Sequence, residues 1–142
     1  MILLDTDHAS VLRMPESDRR NRLVARMAAA HPETVSVPVL VPEEVMRRWL
    51  AAIARERNPR RQTFAYRELA GMFRFFALFV TVPFDDPAID HFEELQRQKV
   101  RVGTMDLKIA AVALAHDALL LTANRRDFEQ IPGLRFENWL DG

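Results

Sequence analysis

The chain alternates between short continuous runs of large apolar residues and longer segments in which apolar residues recur every three or four positions. The continuous runs are typical of strands buried on both faces, and the recurring stripes are typical of amphipathic helices. The runs predict strands at residues 2–4, 34–37, 79–82, 118–122 and 134–136. The stripes and their start signals predict helices at residues 7–12, 17–30, 42–53, 61–76 and 86–98, and one that Thr104 caps.

Strands that alternate with helices in this way predict a parallel sheet covered by helices on both sides, a three-layer α/β/α sandwich. With 142 residues, 49% of them hydrophobic, the chain is large enough to build its own core. We find no internal repeat, low-complexity tract or linker, and proline stands at the ends of elements. The sequence therefore predicts a single domain over residues 1–142.

Composition excludes several classes of protein. Twenty basic and twenty acidic residues balance to zero, which argues against a protein that coats DNA through a global positive charge. The absence of cysteine excludes disulfides, thiolate zinc sites and cysteine nucleophiles. The first apolar run stops at Asp5, too early for a secretory signal, and no run approaches the length of a membrane span. We therefore expect a cytoplasmic protein without membrane contact.

Acidic residues stand where predicted strands end and the following helices begin. Asp5 follows the first strand, Glu44 and Asp106 are expected in the first turns of two helices, and Asp127 is expected in the loop after the fourth strand. Each alone is also explained as a helix cap or by the helix macrodipole. In a parallel sheet, however, all four meet at one edge and repel each other unless cations neutralise them. Oxygen ligands without thiolate or clustered histidine select Mg²⁺ or Mn²⁺.

Such an acidic site suits hydrolysis of a phosphodiester by metal-activated water. Arginine is suited to planar, bidentate contacts with phosphate. Four arginines are candidates for such contacts with a nucleic acid: Arg47, Arg48, Arg125 and Arg126. The aromatic and aliphatic stripe along residues 61–79 is expected to contribute to the core, to a dimer or to a partner surface.

Four segments together resemble a PIN-domain nuclease, and more narrowly the VapC toxins of toxin–antitoxin modules. They are Leu-Leu-Asp-Thr-Asp at 3–7, Glu44 before an amphipathic helix, Gly-Thr-Met-Asp-Leu-Lys-Ile-Ala-Ala at 103–111, and Leu-Thr-Ala-Asn-Arg-Arg-Asp-Phe at 121–128. The resemblance spans essentially the whole chain. Arg48 departs from it, because family members often carry a small residue there, and Glu43 leaves open which glutamate faces the metal.

The resemblance implies a PIN-like fold over residues 1–142 and an endoribonuclease that depends on Mg²⁺ or Mn²⁺. It implies a toxin that a cognate VapB-type antitoxin neutralises, an RNA substrate such as tRNA or rRNA, and a homodimer. The implied acidic metal-site residues are Asp5, Glu44, Asp106 and Asp127. Thr6 and Asn124 match polar positions of the family's motifs and would orient ligands or substrate.

Two other functions stay open from the residues. A phosphatase of the haloacid dehalogenase type would use Asp5 as nucleophile and Asp7 as acid/base, but it leaves Glu44 unexplained. A PIN-like binding module without catalysis would act only through its partner. RNA cleavage by histidine alone requires a pair of histidines, and only His8 lies near the proposed site.

Overall fold

The structure of the protein is a computed structural model, which describes residues 1–141. Gly142, the last residue of the predicted domain, lies outside this range. The five strands form one sheet in the order β3-β2-β1-β4-β5, and every neighbouring pair is parallel. The strands are β1 (Ile2–Leu4), β2 (Val35–Pro38), β3 (Val80–Val82), β4 (Leu119–Leu121) and β5 (Arg135–Glu137).

Seven helices connect these strands within the described residues. They are α1 (Thr6–Arg13), α2 (Asp18–Ala29), α3 (Leu40–Arg55), α4 (Thr63–Phe76), α5 (Asp86–Arg97), α6 (Thr104–Ala115) and α7 (Arg125–Phe128). Right-handed connections between parallel strands assign α1 to α4 to one face of the sheet and α5 to α7 to the other. Contacts group the helices in the same way, except that α3 also contacts α6. The predicted α/β/α sandwich is therefore confirmed.

The core forms where the central strands meet the helices. Leu3 and Leu4 of β1 and Leu120 and Leu121 of β4 are fully buried, as expected of strands with a helix layer on each face. Helix α6 has apolar residues on all sides, and Ile109 to Val112 are fully buried. None of the helices within residues 1–141 combines the length and apolar character needed to cross a membrane.

Several predicted positions need correction. Asp127 lies in α7 and not in a loop, because the Asn124 side chain accepts a hydrogen bond from the Asp127 amide and caps a short helix. Helix α3 begins at Leu40, so Glu44 is its fifth residue and lies beyond the predicted first turn. Gly103, not Thr104, is the N-cap of α6, and Thr104 is the first helical residue.

Candidate active site

Asp5 lies directly after β1 and is the N-cap of α1. Its side chain is only 6% exposed. One carboxylate oxygen accepts a hydrogen bond of 2.8 Å from the Thr6 amide, and the other accepts one of 2.7 Å from the Thr122 hydroxyl. Burial, and then the negative charge of Asp7, raise the pKa of Asp5 to about 7, although both hydrogen bonds favour the charged form. Asp5 therefore exchanges its proton near neutral pH.

Glu44 and Glu43 point in different directions from α3. The Thr6 hydroxyl donates a hydrogen bond of 2.6 Å to Oε2 of Glu44, which brings Glu44 beside the end of β1. Glu43 instead forms an ion pair of 2.6 Å with Arg47, one helical turn further on. Glu44 is therefore the glutamate that adjoins Asp5, and Glu43 belongs to a surface pair.

Asn124 holds the other two predicted acids together. Its side-chain amide donates to Asp106 at 3.3 Å and to Asp127 at 3.0 Å. The Asn124 backbone N–H in turn donates to the Thr122 hydroxyl, 3.1 Å away. Burial raises the pKa of Asp106, and the charges of Asp127 and Glu44 raise it further.

The four predicted acids thus belong to one hydrogen-bonded network at the carboxyl edge of the sheet. Three neutral residues, Thr6, Thr122 and Asn124, join acids that stand on separate elements of the chain, Thr6 and Asn124 with both the backbone N–H and the side chain. Thr122 was not predicted as a site residue, although a polar residue at the end of the apolar run 118–121 was a usable signal. It is 1% exposed.

Asp7 is a second residue of the site that was not predicted for the nuclease. Its Oδ2 accepts from the Ala123 amide at 2.8 Å, and its Oδ1 lies 2.5 Å from Nδ1 of His8. His8 is fully buried, and its Nε2 accepts a hydrogen bond from the Trp139 amide at 3.1 Å. Because Nε2 accepts, the proton of a neutral His8 must lie on Nδ1, where it is donated to Asp7.

The four candidate arginines are spread over the surface. Arg47 is paired with Glu43, and Arg48 lines a separate cavity beside Trp49. Arg125 and Arg126 belong to α7, next to the acidic network. Of these two, Arg125 lines a pocket that it shares with Thr122, and its ion pair with Glu129 is long at 3.5 Å. Arg125 is therefore best placed of the four to meet a substrate at the network.

The donor set fits a hard divalent cation by its chemistry. It consists of carboxylates, and the pKa values of Asp5 and Asp106 are raised by burial and then by like charges that a cation would neutralise. Within residues 1–141, no three acidic or histidine side chains stand close enough together to hold a metal ion as they are placed, and neutral hydrogen-bond donors contact the carboxylates instead. The arrangement thus provides oxygen ligands with partial neutralisation by hydrogen bonds.

Comparison with known proteins gives a family match along the chain. The model of the PIN domain family matches residues 2–134. The chain is 37% identical to Ribonuclease VapC1 of Rickettsia felis over 62 residues, which are 41% of this chain and 46% of that protein. It is 35% identical to the tRNA(fMet)-specific endonuclease VapC of Salmonella typhimurium over 77 residues, 51% of this chain and 58% of that protein. The matched part is thus about half the length of these curated relatives.

Solved structures show the same fold. VapBC-1 from nontypeable Haemophilus influenzae superposes with a TM-score of 0.76 at 19% identity, covering 99% of this chain and 100% of that chain. VapBC2 from Rickettsia felis, bound to a DNA fragment from its promoter, gives 0.71 at 22% identity, with coverages of 98% and 99%.

Proposed function

The chain belongs to the PIN domain family, and on that premise we propose that it is a metal-dependent endoribonuclease, the toxin of a type II toxin–antitoxin pair. The observation that carries the proposal is the network that joins Asp5, Glu44, Asp106 and Asp127 through three neutral residues. Stability alone does not require such a group of acids, because buried carboxylates without cationic partners are costly. We propose that the nuclease unit extends over residues 1–142.

We assign the metal to Mg²⁺ or Mn²⁺, held by Asp5 and Asp106 with Glu44 and Asp127. When bound, such an ion lowers the pKa of a water molecule and stabilises charge on a phosphodiester that the water attacks. Thr6 fixes Glu44 with its hydroxyl, and Asn124 spaces Asp106 from Asp127 with its amide. Thr122 donates to Asp5, which favours the charged form of that carboxylate at the working pH.

We infer the substrate and the protein partner from the names of similar proteins and structures. Relatives are named ribonuclease and tRNA(fMet)-specific endonuclease, and the similar structures are toxin–antitoxin complexes. We propose an RNA substrate of the tRNA or rRNA class, a VapB-type antitoxin, a homodimeric toxin and a cytoplasmic location. The family match favours this function over the phosphatase alternative, in which Asp7 would be the acid/base. In the structure both oxygens of Asp7 already accept hydrogen bonds.

The test is cleavage of total cellular RNA by the purified protein with Mg²⁺, Mn²⁺ or EDTA. We expect cleavage that needs the ion and that falls at least about 100-fold in Asp5→Asn and Asp106→Asn, because each change removes a negative oxygen ligand. The matched control is Asp117→Asn, which neutralises a carboxylate that is 97% exposed and outside the network. Circular dichroism establishes that each variant is folded.

Two results would contradict the proposal. If Asp5→Asn cleaves RNA as fast as wild type does, the acidic network does not take part in the reaction. A folded wild type that binds its antitoxin but cleaves none of the cellular RNA classes with either ion would favour the binding module without catalysis.

A further inference from the structure

A pocket of about 380 Å³ opens beside the acidic network, between the end of β4 and the C-terminal segment. Thr122 and Ala123 form its inner wall, and the rest of the lining includes Arg26, Arg125 and Phe136. Thr122 donates to Asp5, and the Ala123 amide donates to Asp7. The wall of the pocket therefore contacts Asp5, one of the acids proposed to hold the metal, and the volume of the pocket is sufficient for a small ligand.

The lining of this β4–β5 pocket combines cationic and aromatic groups. Phe136 is half-buried, packs against the core on one side and lines the pocket on the other. Arg125 is 84% exposed, and among residues 1–141 its guanidinium is engaged only by the long contact with Glu129. A cationic side chain binds the phosphate of a nucleotide through charge-assisted hydrogen bonds. An aromatic side chain binds an unpaired nucleotide base by stacking against it. Both are available here within one pocket.

The acidic and amide groups of the lining are already engaged within the protein. Glu137 accepts a hydrogen bond of 2.6 Å from the Trp139 indole and lies 3.7 Å from the Arg26 guanidinium, which offsets its charge. Asn138 donates to Asp141 and accepts from the Leu140 amide. The capacity left for a ligand is therefore the positive charge of Arg125 and the aromatic surface of Phe136, while the charge of Arg26 is shared with Glu137.

We propose that the β4–β5 pocket is a subsite for the nucleotide next to the scissile phosphodiester of a single-stranded RNA. In this subsite Phe136 contacts the base, and Arg125 and Arg26 face the neighbouring phosphates. The assignment rests on the proposed nuclease function. It adds Arg26 and Phe136, from α2 and β5, to the surface that would select the RNA, whereas Arg47 and Arg48 lie outside this pocket.

The test measures binding of a short, fluorescein-labelled, single-stranded RNA of mixed sequence in EDTA, by anisotropy over a range of salt concentrations. We expect Arg125→Gln to weaken binding and to reduce the slope of log Kd against log salt by about 0.7, the contribution of one phosphate of a single strand. Phe136→Leu keeps an apolar core residue but removes the stacking surface. It should raise Kd about fivefold or more and leave the slope unchanged.

The matched control is Arg135→Gln. Arg135 is the neighbour of Phe136 on β5, but its guanidinium binds Asp117 at the opposite edge of the sheet. Loss of the Arg135 guanidinium should leave the Kd for RNA within about twofold of wild type. The reason is that salt screens a charge at that edge of the sheet from an RNA bound in the β4–β5 pocket. Arg26→Gln is a further variant, with circular dichroism as a fold control because Arg26 also stacks 4.8 Å above the Trp139 ring.

The failures of the two proposals are distinguishable. If Arg125→Gln and Phe136→Leu bind RNA as wild type does, while wild type cleaves RNA with Mn²⁺, the subsite is wrong and the nuclease stands. If wild type neither binds nor cleaves RNA, both proposals fall. If a polyglutamate peptide displaces the RNA as well as unlabelled RNA does, the pocket selects anionic chains in general and the nucleotide assignment is overturned.

Discussion

Asp5 couples the stability of the protein to pH. Its pKa is raised from 3.8 to about 7 in the folded state, so between these values the folded protein binds a proton that the unfolded chain has lost. Stability therefore falls as the pH rises from about 4 to about 7 and is flat above that range, as far as Asp5 contributes. At neutral pH and above, the charged Asp5 destabilises the metal-free protein.

Asp5→Asn should consequently raise the free energy of unfolding in EDTA at about pH 8, by up to about 4 kcal/mol. The asparagine can still accept from the Thr6 amide, and its own amide can donate to the Thr122 oxygen. Urea denaturation from about pH 4 to about pH 8 should show that the difference in free energy of unfolding between Asp5→Asn and wild type becomes smaller as the pH falls. A difference in the free energy of unfolding that is equal at all pH values would mean that packing, and not the charge of Asp5, causes it.

The buried side chain of His8 contributes to the stability of the fold through two hydrogen bonds. It donates to Asp7 and accepts from the Trp139 amide, so it ties the C-terminal segment to the acidic network. His8→Ala leaves both partners unpaired and opens a cavity, which should reduce the free energy of unfolding by about 2–4 kcal/mol.

Urea denaturation of His8→Ala beside His116→Ala tests this role, since His116 is exposed and its loss should change stability by less than about 0.5 kcal/mol. His8→Phe restores volume without hydrogen bonds and should recover only part of the loss. Equal stability of the His8 and His116 variants would show that the buried hydrogen bonds of His8 contribute nothing measurable.

Most elements could be predicted from the sequence, because apolar runs and stripes report local burial directly. The five strands and the helices from α1 to α6 follow this pattern. Helix α7 was missed, since four residues give no periodicity and its cap is a single side-chain contact by Asn124. In helix α2, Leu23 is buried but Val24 is 41% exposed, so the apolar character of two neighbouring residues does not tell which of them the fold covers.

Helix α4 and the turn that follows it leave apolar side chains uncovered. Phe73 is 58% exposed and Leu78 is 78% exposed, in the stretch expected to contribute to a dimer or antitoxin surface. Substituting both by glutamate should raise the Kd of the proposed homodimer more than about tenfold, because interfaces depend on a few buried apolar residues. Light scattering after size-exclusion chromatography measures the change.

Val24→Glu is the control for this surface, because Val24 is an exposed apolar residue on a different helix and its substitution should leave the dimer intact. A double variant that dimerises and binds its antitoxin as wild type does would exclude this surface from both interfaces.

At the scale of the whole molecule, sheet topology determines which acids meet. The parallel direction of the strands could be predicted from alternating elements, and with it the edge at which Asp5, Glu44, Asp106 and Asp127 collect, whereas the order of the strands was not predicted. The connections through Thr6, Thr122 and Asn124 could not be predicted, because they join residues that are far apart in the sequence and depend on side-chain geometry. The resemblance already favoured Glu44 over Glu43, and the contacts with Thr6 and Arg47 tell which of the two adjoins Asp5.

The network also links folding to the proposed metal. Because Asp5 must lose its proton to hold a cation, and its pKa is about 7, Mn²⁺ should bind more tightly at about pH 8 than at about pH 6. When the free ion reaches about 100 times its Kd, the folded state gains about 2.7 kcal/mol, so the thermal midpoint should rise by several degrees and fall back with EDTA.

Differential scanning fluorimetry of wild type, Asp106→Asn and Asp117→Asn with and without Mn²⁺ measures this linkage. The stabilisation should be lost in Asp106→Asn and kept in Asp117→Asn, whose exposed carboxylate lies outside the network. A rise in the midpoint that is the same at both pH values, or that persists in Asp106→Asn, would mean that Mn²⁺ binds elsewhere. Since the readout is the stability of the fold, the result does not depend on having found the RNA substrate.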